Sequence, residues 1–288
     1  MRRFELLEPR SLDEAWQLLA DREDAKFIAG GTALLILIKQ GILVPPVLVN
    51  LKKVTGANEI TYDPNKGLRV GALASIFDVE TSAEVKSHYP VLAHACHVVA
   101  NIRIRNLATI GGNLAHADYQ SDPPTVLIAL GARVELIGSE GTRDLPLEEF
   151  LLGSYETALR PGELLSAVTV PVCPAGFQAN YIKFTTRSSE DRPCAGIVAM
   201  VRSENGLCRE ARLVIGAVST APVRVRKAED LARGQKLTPE LIQEMAAEAA
   251  RVVDPIEDLR GPADYKRHIV GVLARRALEA AAGKGEGA

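Results

Sequence analysis

The sequence predicts an α+β protein in three consecutive parts, and three observations predict it. Residues 1–55 alternate short apolar strands with helical stretches. A turn signal, Asp63-Pro64-Asn65-Lys66-Gly67, then separates two strand-like runs and helical stretches follow. Past residue 175, strand-like runs joined at Asn205-Gly206 give way to helices only. Runs of strands followed by runs of helices are the pattern of α+β folds. The expected division is 1–55 and 56–174, two α/β pieces, and 175–288, an α+β domain with an antiparallel sheet.

In the first part, Ser11-Leu12-Asp13-Glu14 has the form of a capping box and opens a helix through Ala20. Lys26 to Ala29 is a short buried strand, Gly30-Gly31-Thr32 a tight turn, and Ala33 to Gln40 a helix closed by Gly41. Val47 to Leu51 is another strand. In the second part, Glu59–Tyr62 and Leu68–Ala72 form a hairpin, and Ile76–Glu80 and Val91–Val99 are helical. Gly111-Gly112-Asn113 is a second glycine turn. Pro123 and Pro124 occupy the first turn of a helix reaching Leu130, because Pro lacks only an N–H that the first turn does not need. Arg133–Ile137 and Leu165–Val172 are strands. In the third part, Asn180–Thr185, Ile197–Arg202 and Leu207–Ala217 are strands, and Asn205-Gly206 is a hairpin turn. Thr238-Pro239-Glu240 caps a helix whose apolar face is Leu241, Ile242, Met245, Ala246 and Ala249. A last helix spans Asp264–Ala281, and the tail 283–288 is expected to fray.

Composition removes several classes of function. A net charge of -2 gives no electrostatic case for nucleic acid, whose phosphates call for a marked excess of Lys and Arg. The longest apolar run, Ala33–Ile38, is far too short to cross a bilayer. The first residues turn acidic at once without an apolar stretch, so no secretory signal and a cytoplasmic location are expected. Cys96, Cys173, Cys194 and Cys208 are scattered, as in a reducing compartment, and no metal site is expected. His94 and His97, three apart on one helix, lack further ligands nearby and are taken as packed or half-exposed histidines.

The chemistry lies in two glycine pairs, each after an apolar stretch: Ala29-Gly30-Gly31-Thr32-Ala33-Leu34 and Thr109-Ile110-Gly111-Gly112-Asn113. Glycine lets a ligand approach the chain closely, and successive backbone N–H groups in such turns form anion-binding concavities. Thr32, Thr109 and Asn113 add polar side chains. Neither site has the spacing of a Rossmann fingerprint or a P-loop. Two such loops can hold the two phosphates of a dinucleotide, although either alone is more often only a turn. Asp122 can accept hydrogen bonds from sugar or ribityl hydroxyls, or cap the helix that follows it. Lys183 shares a strand face with Tyr181 and Thr185, where it can place a positive charge by a cofactor or face solvent. No nucleophile–base pair is recognisable, so no catalytic side chain is assigned.

The two loops resemble those of the molybdenum hydroxylase flavoproteins, the family of carbon monoxide dehydrogenase medium subunits and xanthine dehydrogenase FAD domains. Gly71-Ala72-Leu73, Ser121-Asp122-Pro123-Pro124, Pro161-Gly162-Glu163-Leu164-Leu165, Tyr181-x-Lys183 and Tyr265-Lys266-Arg267 fall in the family's order, so the resemblance covers nearly the whole chain. It implies FAD as cofactor, with the pyrophosphate between the loops, Asp122 on the ribityl chain, Leu164 against the isoalloxazine and Lys183 near the ring's polar edge. It implies an oxidoreductase subunit that takes electrons from a small partner with two 2Fe–2S clusters. It further implies a large partner that holds the molybdenum cofactor, a dimer of heterotrimers, and NAD, a quinone or O2 as the final acceptor. Thr32-Ala33 replaces a His-Ser pair, and Arg192 stands near where some members carry a Tyr. Both departures weaken the case for carbon monoxide and put an aromatic N-heterocycle on at least an equal footing as substrate of the complex. The competing readings are a stand-alone flavin-dependent oxidoreductase and a non-catalytic assembly subunit with a decayed flavin site.

Overall fold

The computed structural model describes residues 3–20, 22, 24–138 and 140–283. Most of the tail expected to fray lies outside them. The first part folds as β1 (Glu5–Leu7), α1 (Leu12–Ala20), β2 (Ala25–Ile28), α2 (Leu34–Lys39) and β3 (Val47–Asn50). Its three strands are parallel, in the order β1-β3-β2. Parallel neighbours need a crossover, which the two helices supply. Ser11 caps α1 by accepting from the Glu14 amide at 3.1 Å. The Glu14 carboxylate reaches back one residue further than a capping box requires, to the Arg10 amide at 2.7 Å. Ala15, Ala25, Val47, Val49 and Leu51 form a small core.

The second part begins with the hairpin β4 (Ile60–Asp63) and β5 (Gly67–Gly71). Six helices follow: α3 (Ile76–Thr81), α4 (Ala83–His88), α5 (Pro90–His97), α6 (Ile102–Arg105), α7 (Ile110–His116) and α8 (Asp122–Ala129). Then come β6 (Arg133–Gly138), β7 (Gly141–Pro146), α9 (Leu147–Phe150), the small hairpin β8 (Leu151–Gly153) and β9 (Glu156–Thr157), and β10 (Leu164–Val170). The five-stranded sheet is antiparallel, ordered β4-β5-β10-β6-β7. Because β10 runs against β5, the start of β10 lies beside the end of β5, where Ala72 N donates to Ser166 O at 2.9 Å. This sheet end borders the functional site.

The third part contains β11 (Phe177–Phe184), β12 (Ala195–Glu204), β13 (Leu207–Gly216) and β14 (Val223–Arg224) as an antiparallel sheet in that order. Asn205 (φ 53) and Gly206 (φ 77) both take positive φ, as a tight two-residue hairpin turn demands. Helices α10 (Arg226–Ala232), α11 (Pro239–Val252) and α12 (Ala263–Ala281) follow. They cover one face of the sheet through Ile197, Ala199, Leu213, Ile215, Met245 and Leu273. The other face, with Tyr181, Val198, Met200 and Val214, joins the core of the second part, where α8 packs on β12 and β13. Burial on both faces explains why Ala195–Val201 reads as a continuous apolar run rather than an alternating one. Contact is so close that a Cβ at Gly216 would collide with the Thr125 hydroxyl of α8.

Candidate functional site: a cleft between the two glycine motifs

A cleft of ≈ 290 Å³ opens where the first and second parts meet. Its walls are Ala29–Leu34 after β2, Thr109 and Gly111–Asn113 on α7, Ala72 and Leu73 after β5, and Glu163–Leu165 at the start of β10. Eleven of the thirteen residues expected at the site therefore line it: Ala29, Gly30, Gly31, Thr32, Ala33, Leu34, Thr109, Gly111, Gly112, Asn113 and Leu164.

The two motifs do different work. At the first, Gly31 takes φ 71, a left-handed conformation that suits glycine. Gly30 lies against the Leu107–Ala108 backbone, and a Cβ there would collide with the Leu107 carbonyl. Leu35 N donates to Gly31 O at 3.0 Å, but the amides of Gly30, Gly31, Thr32, Ala33 and Leu34 find no acceptor among the described residues. Five successive unpaired N–H groups on a cleft wall form a ready anion cradle.

The second motif corrects the expectation of a turn with open amides. Gly111, Gly112 and Asn113 lie in the first two turns of α7, and every N–H there is taken. Ile110 N donates to Ala74 O and Gly111 N to Ala72 O, both at 2.9 Å. Gly112 N donates to the capping Thr109 hydroxyl at 3.0 Å, and Asn113 N to Thr109 O at 2.9 Å. Thr109 is thus a helix cap, and this motif offers the ligand a bare surface rather than donors. A Cβ at Gly111 would sit 2.5 Å from the Ala72 Cβ, so Gly111 serves the approach of α7 to the end of β5. A Cβ at Gly112 would lie 2.8 Å from the capping Thr109 hydroxyl, and its only other neighbour would be the Ala29 Cβ at 3.9 Å, across the cleft. Asn113 accepts from the Ser121 hydroxyl at 2.8 Å, which leaves its side-chain NH2 as a donor.

Asp122 and Lys183 are not among the cleft-lining residues. Asp122 is in the first turn of α8, with Ser121 at the cap position, and its side chain is 4% exposed. It accepts from Tyr181 Oη at 2.7 Å and from Lys183 Nζ at 3.2 Å, while Lys183 Nζ also donates to Val98 O at 2.7 Å. Burial pushes the Asp122 carboxyl up to about 6, against the pull of Lys183 and Tyr181. Tyr181 and Lys183 do share a strand face, but it is turned inward onto α8 rather than toward solvent. The two residues brace α8 against β11.

Glu163, His116, Ala72 and Leu73 line the cleft and were not among the residues assigned. Arg143 clamps Glu163 with bonds of 2.6 and 2.7 Å, which holds its carboxyl below the usual range. The only sequence signal for His116 is its position four residues after Gly112, on the same helix face. His94 meets the edge of Tyr181, whereas His97 pairs with Glu80 at 2.8 Å, so the two share no site. Arg192 pairs with Asp118 at 3.0 Å.

A family model described as the FAD binding domain in molybdopterin dehydrogenase matches residues 2–173. A second, the CO dehydrogenase flavoprotein C-terminal domain, matches residues 180–281. The chain belongs to the FAD-binding subunits of the molybdopterin dehydrogenases. This flavoprotein is 34% identical over 278 residues to the 6-hydroxypseudooxynicotine dehydrogenase complex subunit alpha of Paenarthrobacter nicotinovorans, covering 96% of this chain and 93% of the relative. It is 32% identical to the carbon monoxide dehydrogenase medium chain of Hydrogenophaga pseudoflava, covering 97% of each. Among solved structures, the Hydrogenophaga pseudoflava carbon monoxide dehydrogenase matches with a TM-score of 0.95 at 34% identity over 99% of both chains. Quinoline 2-oxidoreductase from Pseudomonas putida matches with a TM-score of 0.93 at 31% identity, again over 99% of both. FAD is the cofactor of this family, and the flavoprotein is an oxidoreductase component with a mixed fold of antiparallel sheets and helices. Among the described residues no helix is long and apolar enough to cross a membrane.

Proposed function

We propose that this flavoprotein holds FAD in the cleft between Ala29–Leu34 and α7. There it serves as the electron-transfer subunit of a cytoplasmic molybdenum hydroxylase. The observation that carries this reading is the row of five unpaired amides from Gly30 to Leu34 on a mostly apolar wall. A dinucleotide needs that combination: donors for its pyrophosphate, and uncharged surface for its rings. The unpaired amides also weigh against a decayed site, since a cleft released from ligand binding has no reason to keep them open.

When bound, flavin accepts electrons singly and delivers them in pairs. The chain's own residues bind and orient it. The loop amides hold the diphosphate, bare Gly112 lets the nucleotide lie against α7, and Leu164 packs on its ring system. Asp122 and Lys183 act at one remove, by fixing α8 and the Ser121–Asn113 contact beside the cleft. The electrons come from a small subunit with two 2Fe–2S clusters and leave to NAD, a quinone or O2. A large subunit carries the molybdenum cofactor, and two heterotrimers pair. The proposed division of this chain is 1–55, 56–174 and 175–288.

Affinity purification of the tagged chain from its source tests the assembly. Two co-purifying subunits are expected, one with iron–sulfur absorbance and one with molybdenum. A homogeneous single chain that carries flavin and turns over a small substrate by itself would contradict it.

A further inference from the structure

We propose that His116 is a polar contact for the flavin half of the bound nucleotide, held in place by Tyr155. The inference rests on the cleft being the FAD site and names a contact that the glycine motifs do not supply.

His116 ends α7 and lines the cleft. It lies four residues beyond Gly112, so the two share a helix face about 6 Å apart along the axis. Gly112 faces Ala29, at the mouth of the amide cradle. A nucleotide with its diphosphate on that cradle and its body along α7 therefore meets His116 one helical turn further on. The first loop offers backbone donors and the walls are largely apolar, so His116 is a polar side chain suited to the part of the ligand beyond the phosphates.

Its surroundings fix both its orientation and its charge. The Tyr155 ring packs against it, with centroids 5.1 Å apart and tilted by 56°. Tyr155 itself is held in a left-handed conformation, φ 61, at the tip of the β8–β9 hairpin. Its amide donates to Ala117 O at 2.8 Å, and Ala117 is left-handed too, at φ 49. Two non-glycine residues in that region, tied to each other, mark a local geometry maintained against backbone preference. Burial holds the imidazole below its usual range; Asp118 draws it up and Arg192 draws it down. Those two groups are paired with each other at 3.0 Å, which leaves little net field on the ring. A neutral imidazole carries one donor and one acceptor, the complement of a hydroxyl or of an amide-like ring edge.

The flavin half is favoured over the adenosine half by access. Tyr155 is 58% exposed, and the Arg192 side chain is 53% exposed. Neither lines the cleft, but Tyr155 packs on His116, so this end of α7 lies near the surface, where a redox-active ring must be reached by its electron donor and acceptor.

The test uses the deflavinated full-length protein, with any subunits that co-purify, titrated separately with FAD and with ADP. His116→Phe keeps an aromatic partner for Tyr155 but cannot form the hydrogen bond. It is expected to weaken FAD binding ~10-fold, the loss of about one hydrogen bond, and to shift the visible flavin bands. ADP affinity is expected to stay unchanged, and His116→Gln to restore most of the FAD affinity. Equal FAD affinity and identical spectra in wild type and His116→Phe would overturn the assignment while leaving the cleft as the FAD site. A parallel loss of ADP affinity would overturn the choice of the flavin half. Failure of the wild type to take up FAD would overturn the cleft reading and this inference together.

Discussion

At the scale of single residues, the Asp122–Tyr181–Lys183 cluster shows how a sequence pattern can be right about proximity and silent about depth. The shared strand face of Tyr181 and Lys183 was legible from period-two alternation. Its inward direction was not, because α8 covers it from a segment some fifty residues earlier in the chain. The cluster has a measurable signature. Burial raises the Asp122 carboxyl from 3.8 to about 6 in the folded protein. The folded state therefore binds a proton more readily than the unfolded chain does. The contribution of this group to stability is fully present below about pH 4 and is lost as pH rises through about 6. Asp122→Asn is expected to remove that slope, seen as a difference between wild-type and variant denaturation curves from pH 4.5 to 7. A wild type and variant that run parallel across this range would show that Asp122 titrates as an ordinary carboxyl.

At the scale of elements, the two glycine motifs look alike in sequence and differ in structure. The strand–Gly–Gly pattern and the helix after it were legible at the first. At the second, Thr109 as cap placed the glycines inside α7, and the segment Ala72–Ala74 took the amides expected to be open. Only a tertiary partner could reveal this, and that partner lies well before the motif in the chain. The glycines therefore separate into two kinds. Gly30 and Gly111 permit backbone packing, whereas Gly112 borders the ligand space. Gly111→Ala is expected to cost ~1–3 kcal/mol of stability in chemical denaturation, through the clash with Ala72. An unchanged midpoint would mean that α7 can move off β5 without penalty.

At the scale of the whole molecule, the three larger sheets follow the order of the sequence, but the cores do not stay separate. The hairpin at Asn205-Gly206 and the helical run after it were readable from turn chemistry and periodicity. That β11–β13 would close over α8 was not, since a continuous apolar strand states only that both faces are buried. The joint is close-packed and includes a polar mismatch: the Thr125 hydroxyl is fully buried beside Gly216 and has no hydrogen-bond partner among the described residues. Thr125→Val keeps the shape and removes the unpaired group. It is expected to stabilise the protein by ~1 kcal/mol and raise the thermal midpoint by ~2–4 °C in calorimetry. A lower midpoint would show that the hydroxyl is satisfied by a bound water.

The most direct test of the account is an FAD titration of the deflavinated full-length protein, with any subunits that co-purify, followed by visible absorbance for the wild type and Gly112→Val. Saturable binding by the wild type, weakened at least ~10-fold in a variant whose far-ultraviolet circular dichroism is unchanged, is the predicted result. Equal FAD affinity in the two proteins would place the flavin elsewhere and contradict the cleft between Ala29–Leu34 and α7 as its site.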